Sequence, residues 1–331
     1  MTRCAVIGAG AWGTALSDLL ARNGHDVRIW AYEWDVVESI NRSHLNRRFL
    51  PGSPIYDTIT AYNEIDEALD GAELVTLVTP SHVLRSIARS ASSSIKRGVP
   101  VVVASKGIER DTLALMTDVV REEISDATVV ALSGPSFAAE VIAQQPTAVV
   151  IASENENAAV FVQQTFSSIH FRCYTHSDVT GVEIGGALKN VMAVATGIAE
   201  GLGLGFNARA ALITRGLAEM TRLGVKLGAE PATLSGLAGM GDLVLTCTGS
   251  LSRNRAVGVE VGKGASLEDV LAGKETVAEG VVTTRSAHAL AAREGVEMPI
   301  VDAVQRVLFE GQAARDAIGA LMARELRPET D

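Results

Sequence analysis

Four short runs limit what this chain can fold into. ELVTLV (73–78), VPVVVAS (99–105), ATVVAL (127–132) and TAVVIAS (147–153) are continuous apolar stretches rich in Val and Ile, with no polar alternation. Strands buried on both faces read this way, and such strands belong to parallel sheets covered by helices on each side. Helical segments fit between several of them, near 81–95, 111–125 and 155–168. Upstream, Arg3–Ile7 reads as a strand, Trp12–Asn23 as a helix closed by Gly24, and Asp26–Trp30 as a second strand. HFRCYT (170–175) is expected to close the sheet. Residues 31–60 are less regular and carry the turn signal PGSP at 51–54.

After about residue 178 the strand pattern stops. Residues 179–200 and 207–228 are helical in period: in the second, Leu212, Ile213, Leu217, Met220, Leu223 and Leu227 recur at threes and fours. Asn207 is placed to cap that helix and Gly228 to end it. Further helices fit 266–272, 281–295 and 299–311, and the tail RELRPETD is polar. The expectation is an α/β class chain: a Rossmann-like, mostly parallel sheet domain over 1–178, then an all-α C-terminal domain over 179–331.

Composition narrows the function. With 39 acidic against 29 basic residues the formal charge is −10, and no Lys/Arg run is present, so a nucleic-acid surface is a poor fit. Three separated cysteines and six histidines without a His-x-x-x-His pair suggest neither a disulfide framework nor a metal site. The start MTRCAVIGAG leaves no room for a signal peptide. No uninterrupted apolar run reaches the roughly 18 to 20 residues of a membrane span. A cytoplasmic protein without a membrane span is expected, and the apolar helical half leads us to expect a homodimer.

GAGAWG (8–13) is the first chemical motif. Gly8 permits a tight turn out of the strand, Gly10 close backbone approach to a pyrophosphate, and Gly13 packing of the helix on the sheet. The N–H groups of the helix then face the diphosphate. Its place between a strand and a helix is the context that gives an otherwise weak motif meaning. For the adenosine end, Glu33 lies 20 residues past Gly13 but beyond the strand end at Trp30. Tyr32, Arg47 and Arg48 are the residues available to a 2′-phosphate. The balance leans slightly to NADP(H) over NAD(H).

Three motifs fall after strands, at the edge where open α/β sheets bind ligands. These are TPSH (79–82), ASKG (104–107) with Lys106, and SGPSF (133–137), where Pro135 suits a helix start with Ser136 beside it. In the helical half, GLAGMGDLVLTCTGSLSRNR (236–255) carries Asp242 in an expected loop, followed by Ser252, Arg253, Asn254 and Arg255. Arg and Asn donors in a short run suit a phosphate, although Arg255 reads better as a solvated surface residue. Glu279 precedes a helix, where capping is its plain explanation.

The chain resembles the bacterial type of NAD(P)-dependent glycerol-3-phosphate dehydrogenase along nearly its whole length. GAGAWGTAL, PSHVLR, SKGIE, SGPSFAAE, GGALKNVMA, NARAALITRGLAEM, GDLVLTCTGSLSRNR and VAEG carry the likeness, in this order. It implies reversible reduction of dihydroxyacetone phosphate to sn-glycerol 3-phosphate, feeding phospholipid synthesis. It implies Lys189 as proton donor and acceptor. Substrate contacts are implied for Lys106, Gly134, Ser136, Asp242, Ser252, Arg253 and Asn254, with Asn190 and Thr246 close by. Cofactor contacts are implied for Ala11, Trp12, Lys106, Ala138, Arg253, Val277 and Glu279, besides Gly8, Gly10, Gly13 and Tyr32 of the turn and the strand end. Many relatives carry His or Arg where this chain has Tyr32, which leaves NAD against NADP open.

Physical chemistry gives Lys189 its interest independently. It sits on a helix faced by glycine, alanine and methionine, in GVEIGGALKNVMAVATG (181–197). A hydride delivered to a ketone leaves charge on oxygen, and a cation or proton must meet it. A lysine losing water is lowered in pKa toward that task, whereas a bound phosphate opposes the shift. A lysine snorkelling to the surface is the plain alternative. Competing functions are a dehydrogenase of the same scaffold acting on another alcohol or hydroxy acid, and a nucleotide-sensing protein without catalysis.

Overall fold

The computed structural model describes residues 1–273, 278–326, 328 and 329. Eight strands form one sheet: β1 (Arg3–Ile7), β2 (Asp26–Trp30), β3 (Thr60–Tyr62), β4 (Leu74–Leu77), β5 (Pro100–Val103), β6 (Thr128–Ser133), β7 (Thr147–Ala152) and β8 (Phe171–His176). Their order is β3-β2-β1-β4-β5-β6-β7-β8. The chain moves outward from β1 to β3, then returns to lay β4 against the other side of β1, so β1 and β4 flank the topological switch point where such sheets bind ligands. Every core position of β4 is buried, as its unbroken apolar run requires.

Two features of the sheet differ from the sequence reading. β6 and β7 pair antiparallel, Leu132 opposite Ile151, while every other neighbouring pair is parallel. The irregular stretch 31–60 also holds a helix, Trp34–Ser43, and leads into β3. Only Val36, Val37 and Ile40 of that helix are buried. This narrow stripe is short enough to be lost among its charged neighbours.

No strand follows His176 among the described residues. Helix Val179–Gly201 runs through the middle of the helical half. Asp178 begins it: one carboxylate oxygen accepts from Gly181 N–H at 2.8 Å and the other from Glu230 N–H at 2.8 Å. The helix is apolar all round because it is enclosed all round. It crosses helix Arg253–Gly262 through glycines. A Cβ on Gly197 would lie 2.2 Å from the Arg255 carbonyl oxygen, and one on Gly258 2.2 Å from that of Val194. Gly201 and Gly262 repeat the arrangement one turn on, at 2.2 and 2.3 Å.

By length and composition Val179–Gly201 is apolar enough to cross a membrane, although Glu183, Lys189 and Asn190 interrupt its apolar run. Of its most apolar window, 94% is buried inside the protein, so its apolar surface is covered by protein side chains. Asn207 is not the cap of helix Phe206–Lys226; Gly205 holds that place, without any side-chain bond. Residues 236–255 are not a loop. They form a π turn, Leu237–Gly241, then helix Asp242–Thr248 and the start of Arg253–Gly262.

Candidate functional site

The turn after β1 is built from three glycines with different duties. Gly8 has φ +120°, and a Cβ there would press on the Val78 carbonyl group at 3.0 Å. A Cβ on Gly13 would lie 1.9 Å from the Gly8 carbonyl oxygen, so helix Ala11–Arg22 can sit on the strand only as glycine there. A Cβ on Gly10 would meet nothing within 4 Å. Packing therefore demands two of the glycines, and the third borders open space. The helix has no side-chain cap, which leaves its first N–H groups to an anion. Among the described residues the buried Trp12 Nε1 has no hydrogen-bond partner. These features fit a dinucleotide diphosphate.

Asn46, which the sequence reading passed over, braces the turn. Fully buried, it donates to the Ala9 carbonyl at 2.7 Å and to Thr14 Oγ at 2.8 Å, and accepts from Phe49 N–H at 3.0 Å. Its only advance signal was an amide in an otherwise basic stretch. Tyr32 is 78% exposed and meets Trp30 edge to face at 6.5 Å. Arg47 donates to Ser43 Oγ at 3.4 Å. Arg48 pairs with Asp35 at 3.3 Å and lies over the Phe49 ring. Glu33 is the residue before helix Trp34–Ser43 and gives it no side-chain cap.

The loops after β4, β5 and β6 converge. Ser105 Oγ donates to the Thr79 carbonyl at 2.5 Å. Lys106 Nζ donates to the Gly134 carbonyl at 3.4 Å, as does Ser136 Oγ at 3.0 Å. Gly134 is required: its φ is +140° and a Cβ would stand 2.9 Å from Val149 Cα. Pro135 and Ser136 precede helix Ala138–Ile142, whose flanking residue is Phe137. They are not its first turn, as the sequence had suggested, and Ala138 heads that helix instead.

At the junction of the two halves one carboxylate holds two lysines. Asp242 is fully buried. One of its oxygens accepts from Lys106 Nζ at 2.7 Å and the other from Lys189 Nζ at 2.5 Å. Thr246, one turn on, donates to the Asp242 carbonyl at 2.6 Å. Lys189 is 8% exposed, which overturns the snorkelling alternative. Burial pushes Lys189 down to about 8, against the pull of Asp242 and with the help of Lys106. Burial would lift Asp242, but Lys106 and Lys189 outweigh it and hold the carboxyl below its ordinary value. Two cations against one anion leave a net positive charge in a place poor in water, which favours an anionic occupant. Gly185 and Gly186 make the approach possible: a Cβ on Gly186 would lie 2.7 Å from Ser133 Oγ and 3.4 Å from Lys106 Cδ.

Amides continue the site. Asn190 donates to the Gly186 carbonyl at 3.3 Å and accepts from Asn254 Nδ2 at 2.8 Å; Asn254 Oδ1 accepts from Gly280 N–H at 2.9 Å. Ser252 Oγ caps helix Arg253–Gly262 by accepting from Arg255 N–H at 3.2 Å. Arg253 begins that helix with its side chain partly exposed; desolvation lowers its pKa, and the charge of the Glu279 carboxylate pulls the other way. Arg255 does not fit its solvated reading: it pairs with Glu200 at 2.6 Å and donates to the Gly249 carbonyl at 3.2 Å. Glu279 does not serve as a helix cap. Its carboxylate crosses to the sheet half and accepts from Ser81 N–H at 3.1 Å and Ser81 Oγ at 2.6 Å. Burial pushes that carboxyl up, against the Ser81 bonds. Val277 lies outside the described residues.

A glycine turn at the switch point of a mostly parallel sheet, together with a desolvated lysine on the helix that follows the sheet, defines the class: a dinucleotide-dependent dehydrogenase of Rossmann type with a helical second half. The chain belongs to the NAD-dependent glycerol-3-phosphate dehydrogenase family, whose N-terminal part matches residues 3–159 and whose C-terminal part matches residues 178–319. It is an oxidoreductase of the NAD(P) kind. A glycerol-3-phosphate dehydrogenase (NAD(P)+) from Syntrophotalea carbinolica is 53% identical over 98% of this chain and 99% of its own. Another, from Geobacter sulfurreducens, is 54% identical over 99% and 98%. The crystal structure of glycerol-3-phosphate dehydrogenase from Coxiella burnetii matches with a TM-score of 0.94 at 40% identity, covering 98% of this chain and 99% of that one.

Proposed function

We propose that this enzyme reversibly reduces dihydroxyacetone phosphate to sn-glycerol 3-phosphate with NAD(P)H, in the cytoplasm, as a homodimer, and so supplies glycerophospholipid synthesis. We read it as two domains, 1–178 holding the dinucleotide and 179–331 holding the substrate. The observation that carries this reading is the Lys106–Asp242–Lys189 cluster at their junction. The named activity of relatives about half identical along their whole length supports the same substrate.

The dinucleotide, held by Gly8, Gly10, Ala11, Trp12, Gly13, Ala138 and Glu279, supplies the hydride when bound. The chain's own residues do the rest. In reduction the ketone oxygen turns anionic, and the Lys189 ammonium gives it a proton; in oxidation the neutral amine removes that proton. Asp242 aims both ammonium groups, each from a different half. Lys106 and Asn190 then orient the oxygen, as prearranged donors whose loss typically costs about 3 kcal/mol of transition-state stabilisation. Thr246 steadies Asp242. Gly134 and Ser136 shape the loop beside Lys106. Arg253 takes the phosphate, with Asn254 and the hydroxyl proton of Ser252 at the same helix N-terminus. Tyr32 and the neighbouring arginines lean the adenosine end to NADP(H).

The test follows NADH and NADPH absorbance in parallel, with dihydroxyacetone phosphate and with unphosphorylated dihydroxyacetone. Oxidation dependent on the phosphorylated ketone is expected. Equal turnover of both ketones would point to another substrate, and cofactor binding without any oxidation would remove the catalytic role.

A further inference from the structure

Beside the Lys106 stem lies a small void of about 10 Å³, lined among others by Ser105, Lys106, Ser133, Glu183 and Gly186. That is room for one water molecule and no larger group. Ser133 is 3% exposed, and among the described residues its Oγ has no hydrogen-bond partner. The hydroxyl points at the bare Cα of Gly186, where a Cβ would stand 2.7 Å from it. Glu183 is one turn earlier on the same helix. Its carboxylate oxygens accept from Thr117 N–H at 2.9 Å and Thr117 Oγ at 2.5 Å, which leaves each oxygen a further lone pair. A buried hydroxyl without a partner that lines the same void as a residue with spare acceptor capacity is a setting in which internal water is retained.

We propose that this void is a built site for one water molecule, which accepts from Ser133 Oγ and donates to the Glu183 carboxylate, and that Ser133 and Glu183 are thereby positioning residues for Lys106. Lys106 comes from the sheet half and Glu183 from the helix that carries Lys189. The link ties the base of one lysine to the helix of the other, so the gap that Asp242 spans keeps its width. It also explains Gly186: an alanine methyl would occupy the water's place. The inference rests on Lys106 and Lys189 facing the substrate, as argued above.

The test combines a high-resolution crystal structure of the full chain with two variants. Ser133→Ala removes the hydroxyl, and Ser133→Ala with Gly186→Ala fills the void with a methyl that no longer meets Oγ. In the unaltered protein a single water peak is expected within hydrogen-bond distance of Ser133 Oγ and Glu183. In both variants kcat is expected to fall roughly tenfold, as small displacements of reacting groups do, with dinucleotide Kd and Tm unchanged. A dry void overturns the proposal, and so does a kcat within about twofold of the original in the variants. The water peak is judged without reference to turnover, so its outcome stays separate from that of Lys189→Met, on which the reading of the site depends.

Discussion

The turn at Gly8–Gly13 and the cluster of Lys106, Lys189 and Asp242 serve the same reaction and are made in opposite ways. The turn is six contiguous residues that act through backbone and through missing side chains. The cluster is three side chains, Asp242 standing 136 residues from Lys106 and 53 from Lys189, acting through charge held out of water. The first is set mainly by adjacent residues, with the Val78 carbonyl and Asn46 as its distant supports. The second exists only when both halves are folded and in contact. Changes in the two should therefore fail differently: the turn in stability and dinucleotide affinity, the cluster in the rate of the chemical step.

Lys189→Met is the largest expected effect. Stopped-flow turnover should fall by about a thousandfold or more, within the range for loss of a general acid, while dinucleotide Kd measured by fluorescence hardly moves. Near-normal turnover would remove Lys189 from the chemistry. In the intact enzyme the protonated lysine is the acid, and its pKa is about 8. Ketone reduction should hold its rate below that value and decline as pH rises through it. Alcohol oxidation, needing the neutral amine, should rise over the same interval. A pH profile that is flat between 7 and 9 in both directions contradicts the assignment.

Glycine substitutions sharpen the contrast. Gly13→Ala places a methyl against the Gly8 carbonyl oxygen, so Tm should drop by an amount matching about 3 kcal/mol, as overpacking at a rigid contact does. Gly10→Ala meets open space; calorimetry should find its stability within about 1 kcal/mol of the original, with dinucleotide affinity reduced. If the two variants lose stability equally, the division of labour among the glycines is wrong.

Arg253→Ala should raise KM for the phosphorylated ketone by roughly ten- to a hundredfold, the scale of a charge-assisted contact, and leave KM for the dinucleotide less affected. An unchanged substrate KM takes Arg253 out of the phosphate site. The smallest effect belongs to Tyr32→Arg, which adds a cation where Tyr32 stands exposed. The ratio of kcat/KM for NADPH over NADH should increase several-fold, and a ratio that falls would place the 2′-phosphate elsewhere.

Much of this was legible along the chain. The glycine turn could be read because strand, turn and helix are adjacent in sequence and glycine's permitted backbone angles are a local property. Lys189 could be singled out because a lysine on a face of glycine and alanine conflicts with its own need for water. Glu279 and Arg255 were misjudged for the complementary reason: their partners, Ser81 and Glu200, lie 198 and 55 residues away. Residues 236–255 read as a loop because four glycines mask helix period there, although two of them answer close contacts: a Cβ would lie 1.9 Å from the Leu234 carbonyl oxygen at Gly239 and 2.6 Å from the Phe137 ring at Gly249.

By itself, then, the order of residues determined the strands of the sheet core and the long helices, where the dinucleotide turn falls, and that Lys189 needed an explanation. Periodicity and backbone freedom act over a few residues, and a linear reading contains them. The tertiary structure alone decided that Asp242 lies between two lysines, that Glu279 reaches Ser81, and that β7 runs against β6. A charge is set by distances through space and by the water excluded around it, and neither is a property of any single stretch of chain.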